Sequence, residues 1–146
     1  MAVSSARPPE ELRVLIVEDD WPSLELLSEF LIPFGVKPMA IVNSRHAVAV
    51  IGGEKLDGIF LDLLMPGVDG FELIRIARAS ILNKRTPIVV VSGREDKETM
   101  QQAFAAGATF FLAKPLDRLK LSRLINTTLG SMLRERTRSN ARATSL

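Results

Sequence analysis

Short β-branched runs alternate with longer stretches of helical period five times along this chain of 146 residues. Few architectures accept that rhythm. The runs lie at 12–17 (LRVLIV), 36–42 (VKPMAIV), 58–61 (GIFL), 87–91 (PIVVV) and 109–113 (TFFLA). Helical stretches fill 22–33, 44–51, 71–80 and 95–106 between them, and a last one follows at 118–134. Strands alternating with helices of this length call for a parallel sheet. The first, third and fourth runs are nearly all apolar, as strands covered by helices on both faces must be. The chain is therefore read as one α/β domain, which its length also favours.

Punctuation agrees with this division. Pro22 suits a first helical position, where its missing N–H costs nothing, and Gly35 and Gly107 fall where helices need left-handed terminators. Asp69 with Glu72 three residues on resembles a capping box, and Gly52-Gly53 reads as a helix stop without phosphate-loop spacing. The last helix carries Leu121, Leu124, Ile125, Leu129, Met132 and Leu133 at spacings of three and four. This stripe packs on the sheet, yet it runs about two turns further than one sheet requires. Pairing with a second copy, as a homodimer, is the other use for that length. The expected organisation is a disordered segment at 1–10, a folded domain at 11–135 and a basic tail or linker at 136–146.

Composition removes several classes of function. With 47% hydrophobic and 25% charged residues, the chain is globular rather than disordered. No apolar run approaches the roughly 18 residues of a membrane span, and the first ten residues lack the apolar core of a signal peptide. Cysteine and tyrosine are absent, and there is one histidine and one tryptophan. Disulfide scaffolds and thiolate zinc sites have no material to work with and Ser-His-Asp machinery almost none, and a cytoplasmic location is expected. The charge is divided: residues 1–116 hold 12 basic against 15 acidic groups, and residues 117–146 hold 7 against 2. That basic end, with Arg134, Arg136, Arg138 and Arg142, has no aromatic to stack on bases. It is read as a solvated helix end and frayed tail, with contact to an acidic partner as the alternative and no direct nucleic-acid surface.

In an open α/β sheet, ligands bind beyond the carboxyl ends of the strands. After the first strand come Glu18, Asp19 and Asp20; the third ends at Asp62, the fourth at Ser92 and the fifth at Lys114. Carboxylates gathered on one rim repel one another unless a cation sits among them, and few, hard oxygen ligands suit Mg²⁺. Magnesium so held completes its shell with water and a phosphoryl oxygen, and a carboxylate can itself accept a phosphoryl group. Phosphoryl transfer asks mainly for position and positive charge, which Mg²⁺, Lys114 and Ser92 would supply. Asp20 is either a cap of the helix at Pro22 or peripheral to the metal. Trp21 is either a packing residue or part of the rim, and His46 is a surface residue.

VLIVEDD, FLDLLMPGVDG, VVVSG and AGATFFLAKP, in this order and at these spacings, resemble the signature segments of response-regulator receiver domains of bacterial two-component signalling. The resemblance runs from Leu12 to Leu133, inside the domain at 11–135. It implies a doubly wound, flavodoxin-like (βα)5 fold with strand order 2-1-3-4-5, and a non-enzymatic switch that assists its own phosphorylation and dephosphorylation. Asp62 would accept a phosphoryl group from a sensor histidine kinase or histidine phosphotransfer protein. Glu18, Asp19, Asp62 and the backbone carbonyl of Leu64 would hold Mg²⁺, Asp19 as the more direct carboxylate of the acidic pair. Lys114 and Ser92 would complete the chemistry, Lys114–Pro115 would be a cis peptide, and Ser92 and Phe111 would form the switch.

Two departures matter. Gly93 follows Ser92 where alanine is more usual, and Phe111 stands where many members have tyrosine, so it turns without a hydroxyl contact. Output is expected through the face of the fourth helix, fifth strand and fifth helix, onto a downstream protein or an output domain of a longer regulator. A flavodoxin-like redox protein or nucleotide enzyme is the alternative on the same topology. It needs a phosphate-cradling loop after the first strand, where this chain has three acids.

Overall fold

The computed structural model describes residues 11–127 and 130. Five strands, β1 (Leu12–Val17), β2 (Val36–Ile41), β3 (Gly58–Asp62), β4 (Ile88–Ser92) and β5 (Phe110–Ala113), form one parallel sheet in the order β2-β1-β3-β4-β5. Helices α1 (Trp21–Leu31), α2 (Ser44–Gly53), α3 (Gly70–Ala79) and α4 (Lys97–Ala106) join them, and residues 118–127 form α5 after β5. The expected strand order and doubly wound arrangement are both present.

Alternation along the inner strands divides the core in two. Leu15, Val17, Ile59, Leu61, Ile88 and Val90 pack in one layer with residues of α2, α3 and α4. Their neighbours Val14, Ile16, Phe60, Val89 and Val91 pack in the other, with Leu24, Leu27 and Leu31 of α1 and Leu121 and Ile125 of α5. Every residue of β3 and β4 is buried, which is why those runs read as continuously apolar. Burying a leucine or isoleucine contributes about 1.5–3 kcal/mol, so each face is a substantial hydrophobic layer.

Several boundaries differ from the sequence reading, each for a local reason. Helix α1 stops at Leu31 and tightens into a 3-10 turn at Ile32–Phe34, because Pro33 has no N–H and its ring would clash with the preceding turn. Gly35 then closes it at φ 77°. Helix α2 absorbs Gly52 and Gly53, since the Asn83 amide binds the carbonyls of Ile51 and Glu54 at 2.7 and 2.8 Å and satisfies that end. Helix α4 starts at Lys97, not Glu95, because Asp96 caps it by accepting from Thr99 N–H. Asp69 caps α3 in the same way, but Glu72 pairs with Arg75 instead of bonding back, so the capping box is half made.

At the amino ends of the strands a buried polar frame replaces apolar packing. Asn83, fully buried, also accepts from Leu56 N–H and the Thr86 hydroxyl. Arg78 donates to the carbonyls of Gly107, Thr86, Lys84 and Asn83 and to the Thr109 hydroxyl. Burial lowers its pKa, yet an arginine remains charged and can serve five acceptors at once. Leu129, Met132, Leu133 and the segments 1–10 and 136–146 lie outside the described residues. Among the described residues, no helix is long and apolar enough to cross a membrane.

Candidate functional site

Register brings the rim residues together. Val17 lies beside Leu61, Asp62 beside Val91, and Ser92 beside Ala113, so Glu18, Asp62, Ser92 and Lys114 leave four adjacent strands at nearly one level. Asp62 and Ser92 are the last residues of their strands, one position further than the apolar runs reach. Glu18 N–H bonds the Ile41 carbonyl, and Lys114 N–H the Ser92 carbonyl, which anchors both just past the sheet.

The carboxylates of Glu18, Asp19 and Asp62 each offer an oxygen within 4.8 Å of the others. Glu18 is 1% exposed and Asp62 5%. One Glu18 oxygen accepts from Asp20 N–H at 2.9 Å and from Lys114 Nζ at 3.0 Å. The other, Oε2, is buried without a hydrogen-bond partner, a costly state for a charged oxygen. Burial pushes the Glu18 carboxyl up to about 7, against the opposing pull of Asp20 N–H and Lys114. A divalent cation would remove that penalty, so the donor set fits a small, hard ion. Glu18, Asp19 and Asp62 are the residues that could hold it.

Asp62 is held from both sides, by Leu64 N–H on Oδ1 at 3.0 Å and by Lys114 Nζ on Oδ2 at 3.1 Å. Desolvation works against the charge on Lys114, but hydrogen bonds to Glu18 and Asp62 outweigh it and raise its pKa, so the ammonium is fully formed. Ser92 is completely buried and accepts from Arg94 N–H at 3.1 Å, which leaves its hydroxyl proton free to aim elsewhere. A cavity of about 210 Å³ beside it is bounded by Leu63, Leu64, Phe71 and Thr99. Phe111 is half-buried against the core layer under α2–α4. Lys114–Pro115 is cis.

Both open readings resolve. Asp20 occupies the N-cap position of α1 without bonding a helix N–H; its carboxylate accepts from the Ser23 hydroxyl, which holds its pKa low, and lies 4.0 Å from Lys114. It belongs to the periphery of the site. Trp21 is 63% exposed, so it is not a packing residue of the core. His46 is exposed on α2. Sequence reasoning missed Ser44 and the α2 cap. The Asn43 side chain accepts from Arg45 and His46 N–H, which its residue type before a helix could have signalled.

Residues 14–126 match the response regulator receiver domain family. Protein PetR of Rhodobacter capsulatus is 35% identical over 86% of this chain and half of its own length. The chain spans half or less of the curated relatives it matches. Among solved structures, the receiver domain of sensor histidine kinase PA1611 from Pseudomonas aeruginosa PAO1, with a magnesium ion coordinated in its active site cleft, superposes with TM-score 0.73. It is 25% identical and covers 82% of this chain and 98% of that one. The chemotaxis response regulator CheY4 of Vibrio cholerae gives 0.74 at 28% identity over 81% and 98%. With its strand order, its rim of acids and lysine and this match over most of its length, the chain belongs to the response regulator receiver domain family.

Proposed function

We propose that this chain is a phosphorylation-activated signalling switch whose Asp62 takes a phosphoryl group from a phosphohistidine of a sensor kinase or phosphotransfer protein. The observation that carries the reading is the pairing of Asp62 with Lys114 beside the orphaned oxygen of Glu18. An oxygen of the Asp62 carboxylate attacks phosphorus in line; an O–P bond forms as the N–P bond of the donor breaks, and the imidazole leaves as a neutral ring once its nitrogen is protonated. Lys114 neutralises charge on the phosphoryl oxygens, and the hydroxyl of Ser92 donates to one of them. Mg²⁺, held by Glu18, Asp19, Asp62 and the Leu64 carbonyl, supplies further positive charge when bound. The donor has room to approach, because a cleft of about 520 Å³ lined by Asp20, Pro22, Leu26, Lys114 and Pro115 opens beside the site. A cytoplasmic location goes with this reading, since a phosphohistidine donor is made from ATP.

Output runs through Phe111 and the α4–β5–α5 face, onto a downstream protein, a second copy or an attached output domain. The greater length of relatives such as PetR supports the last of these. A nucleotide or flavin role is disfavoured by Glu18, Asp19 and Asp20, which would repel a phosphate where such proteins cradle one. Incubation with Mg²⁺ and a small acyl phosphate should add one phosphoryl mass to the intact protein, and Asp62→Asn should add none. Undiminished labelling of that variant, or labelling without Mg²⁺, would overturn the reading.

A further inference from the structure

The loop that leads away from Asp62 is pinned at its far side by a residue of another helix. Ser44 opens α2, is 1% exposed and takes no part in the acid cluster. Its hydroxyl donates to the Pro66 carbonyl at 2.9 Å and accepts from Val68 N–H at 2.8 Å. These two peptide groups flank Gly67, which has φ +97°, and a Cβ on Gly67 would lie 2.6 Å from the Ser44 oxygen. The loop can close around the hydroxyl because residue 67 has no side chain. Asn43 fixes the first turn of α2 through the N–H groups of Arg45 and His46, so the hydroxyl is presented from a braced position.

We propose that Ser44 is a positioning residue for the Mg²⁺ and phosphoryl site, setting the path of the 63–68 loop and with it the backbone of Leu64. The inference rests on the reading of Asp62 as phosphoacceptor. Between Asp62 and the cap at Asp69 the other ties among the described residues are Leu64 N–H on Asp62, Gly70 N–H on the Leu63 carbonyl at 3.4 Å, and the apolar side chains of Leu63, Met65 and Val68 on the core; Ser44 adds a polar side chain that holds the Pro66–Val68 turn. A single hydroxyl that both donates and accepts orients two peptide groups at once. Without it the Pro66 carbonyl and the half-buried Val68 N–H lose the partner they share, and the loop is free to shift as each finds another. Magnesium demands near-ideal octahedral geometry, so a small displacement of Leu64 is felt at the ion. Through Ser44 the placement of α2 also becomes a determinant of the site.

The test compares the full chain with Ser44→Ala, Ser44→Cys and Leu31→Ala, the last being a cavity on the opposite face of the sheet. Calorimetric titration with Mg²⁺ alone should show Kd raised about tenfold in Ser44→Ala, the scale on which outer-shell partners act. Without metal, amide exchange at Leu64 and Val68 should quicken in the same variant. Labelling of Asp62 by an acyl phosphate should slow at limiting Mg²⁺ and recover most of its rate at saturation. Leu31→Ala should lower the Tm and leave Kd alone, which separates positioning from general loosening. Ser44→Cys keeps the volume with a weaker donor and should fall between parent and alanine; it carries the test if the alanine variant does not fold. An unchanged Kd in the folded Ser44 variants overturns the inference while leaving Asp62 in its role, whereas a parent that neither binds Mg²⁺ nor labels overturns the underlying reading.

Discussion

Glu18 spends stability on function in a way that can be measured at a single residue. Its folded pKa of about 7 lies above the ordinary 4.5, so between those values the native state binds more protons than the unfolded one. Stability of the metal-free protein should therefore fall as pH rises from about 4.5 to 7 and stay lower beyond, the reverse of a salt-bridged acid. Glu18→Gln removes the buried charge and should raise the metal-free Tm by several degrees at pH 8, with little gain at pH 5. The same variant should lose about tenfold in Mg²⁺ affinity if Glu18 helps to hold the ion as proposed, the scale on which even outer-shell partners act. Melting curves at both pH values with and without Mg²⁺ check the two effects together; a lower Tm at pH 8 would contradict the assigned cause.

Elements in this fold are tied end to end by polar residues whose partners are distant in sequence. Asn83 serves the carbonyls of Ile51 and Glu54, Leu56 N–H and the Thr86 hydroxyl from one buried amide, joining the end of α2 to the turn before β4. Asn83→Ala leaves several buried groups unpaired and should cost about 3–5 kcal/mol, given about 1–3 kcal/mol for each such group. Urea unfolding measures it, and a loss below about 1 kcal/mol would mean that water replaces the amide. These ties explain what could be read beforehand. The strands were legible because residues 58–61 and 87–91 are apolar on both faces, a property of the local sequence. Asn83 was not, because Ile51, Glu54 and Leu56 lie about thirty residues away and a turn-forming asparagine looks the same whether or not it is buried. Ser44 hid for the same reason, with partners 22 and 24 residues on.

Across the whole molecule, the proposed signal at Asp62 would have to reach a face on the far side of β4. Parallel alternation could be inferred from periodicity, but the order 2-1-3-4-5 could not; it came from the resemblance of four short segments and agrees with the observed sheet. That order places β4 and β5 next to the site, with Ser92 at the end of β4 and Phe111 on the neighbouring strand. A hydrogen bond from Ser92 to a charged phosphoryl oxygen is worth roughly 1.5–3 kcal/mol, enough to move a two-state population about tenfold or more. It would draw the β4–α4 loop toward the cavity beside Ser92 and leave room for Phe111 to turn inward. Ser92→Ala should still label at Asp62 in the presence of Mg²⁺, yet show a much smaller phosphorylation-dependent shift around Phe111 by NMR. Full switching in that variant would rule out this route.

The polar frame of Arg78 and Asn83 sits at the amino ends of the strands, and every residue of the acid cluster sits at the carboxyl ends. Foundations and working parts therefore occupy opposite poles, separated by the length of the strands, whose two faces the apolar layers cover. A substitution on the rim, such as Asp62→Asn, can therefore remove the chemistry while the frame that keeps the sheet upright stays in place.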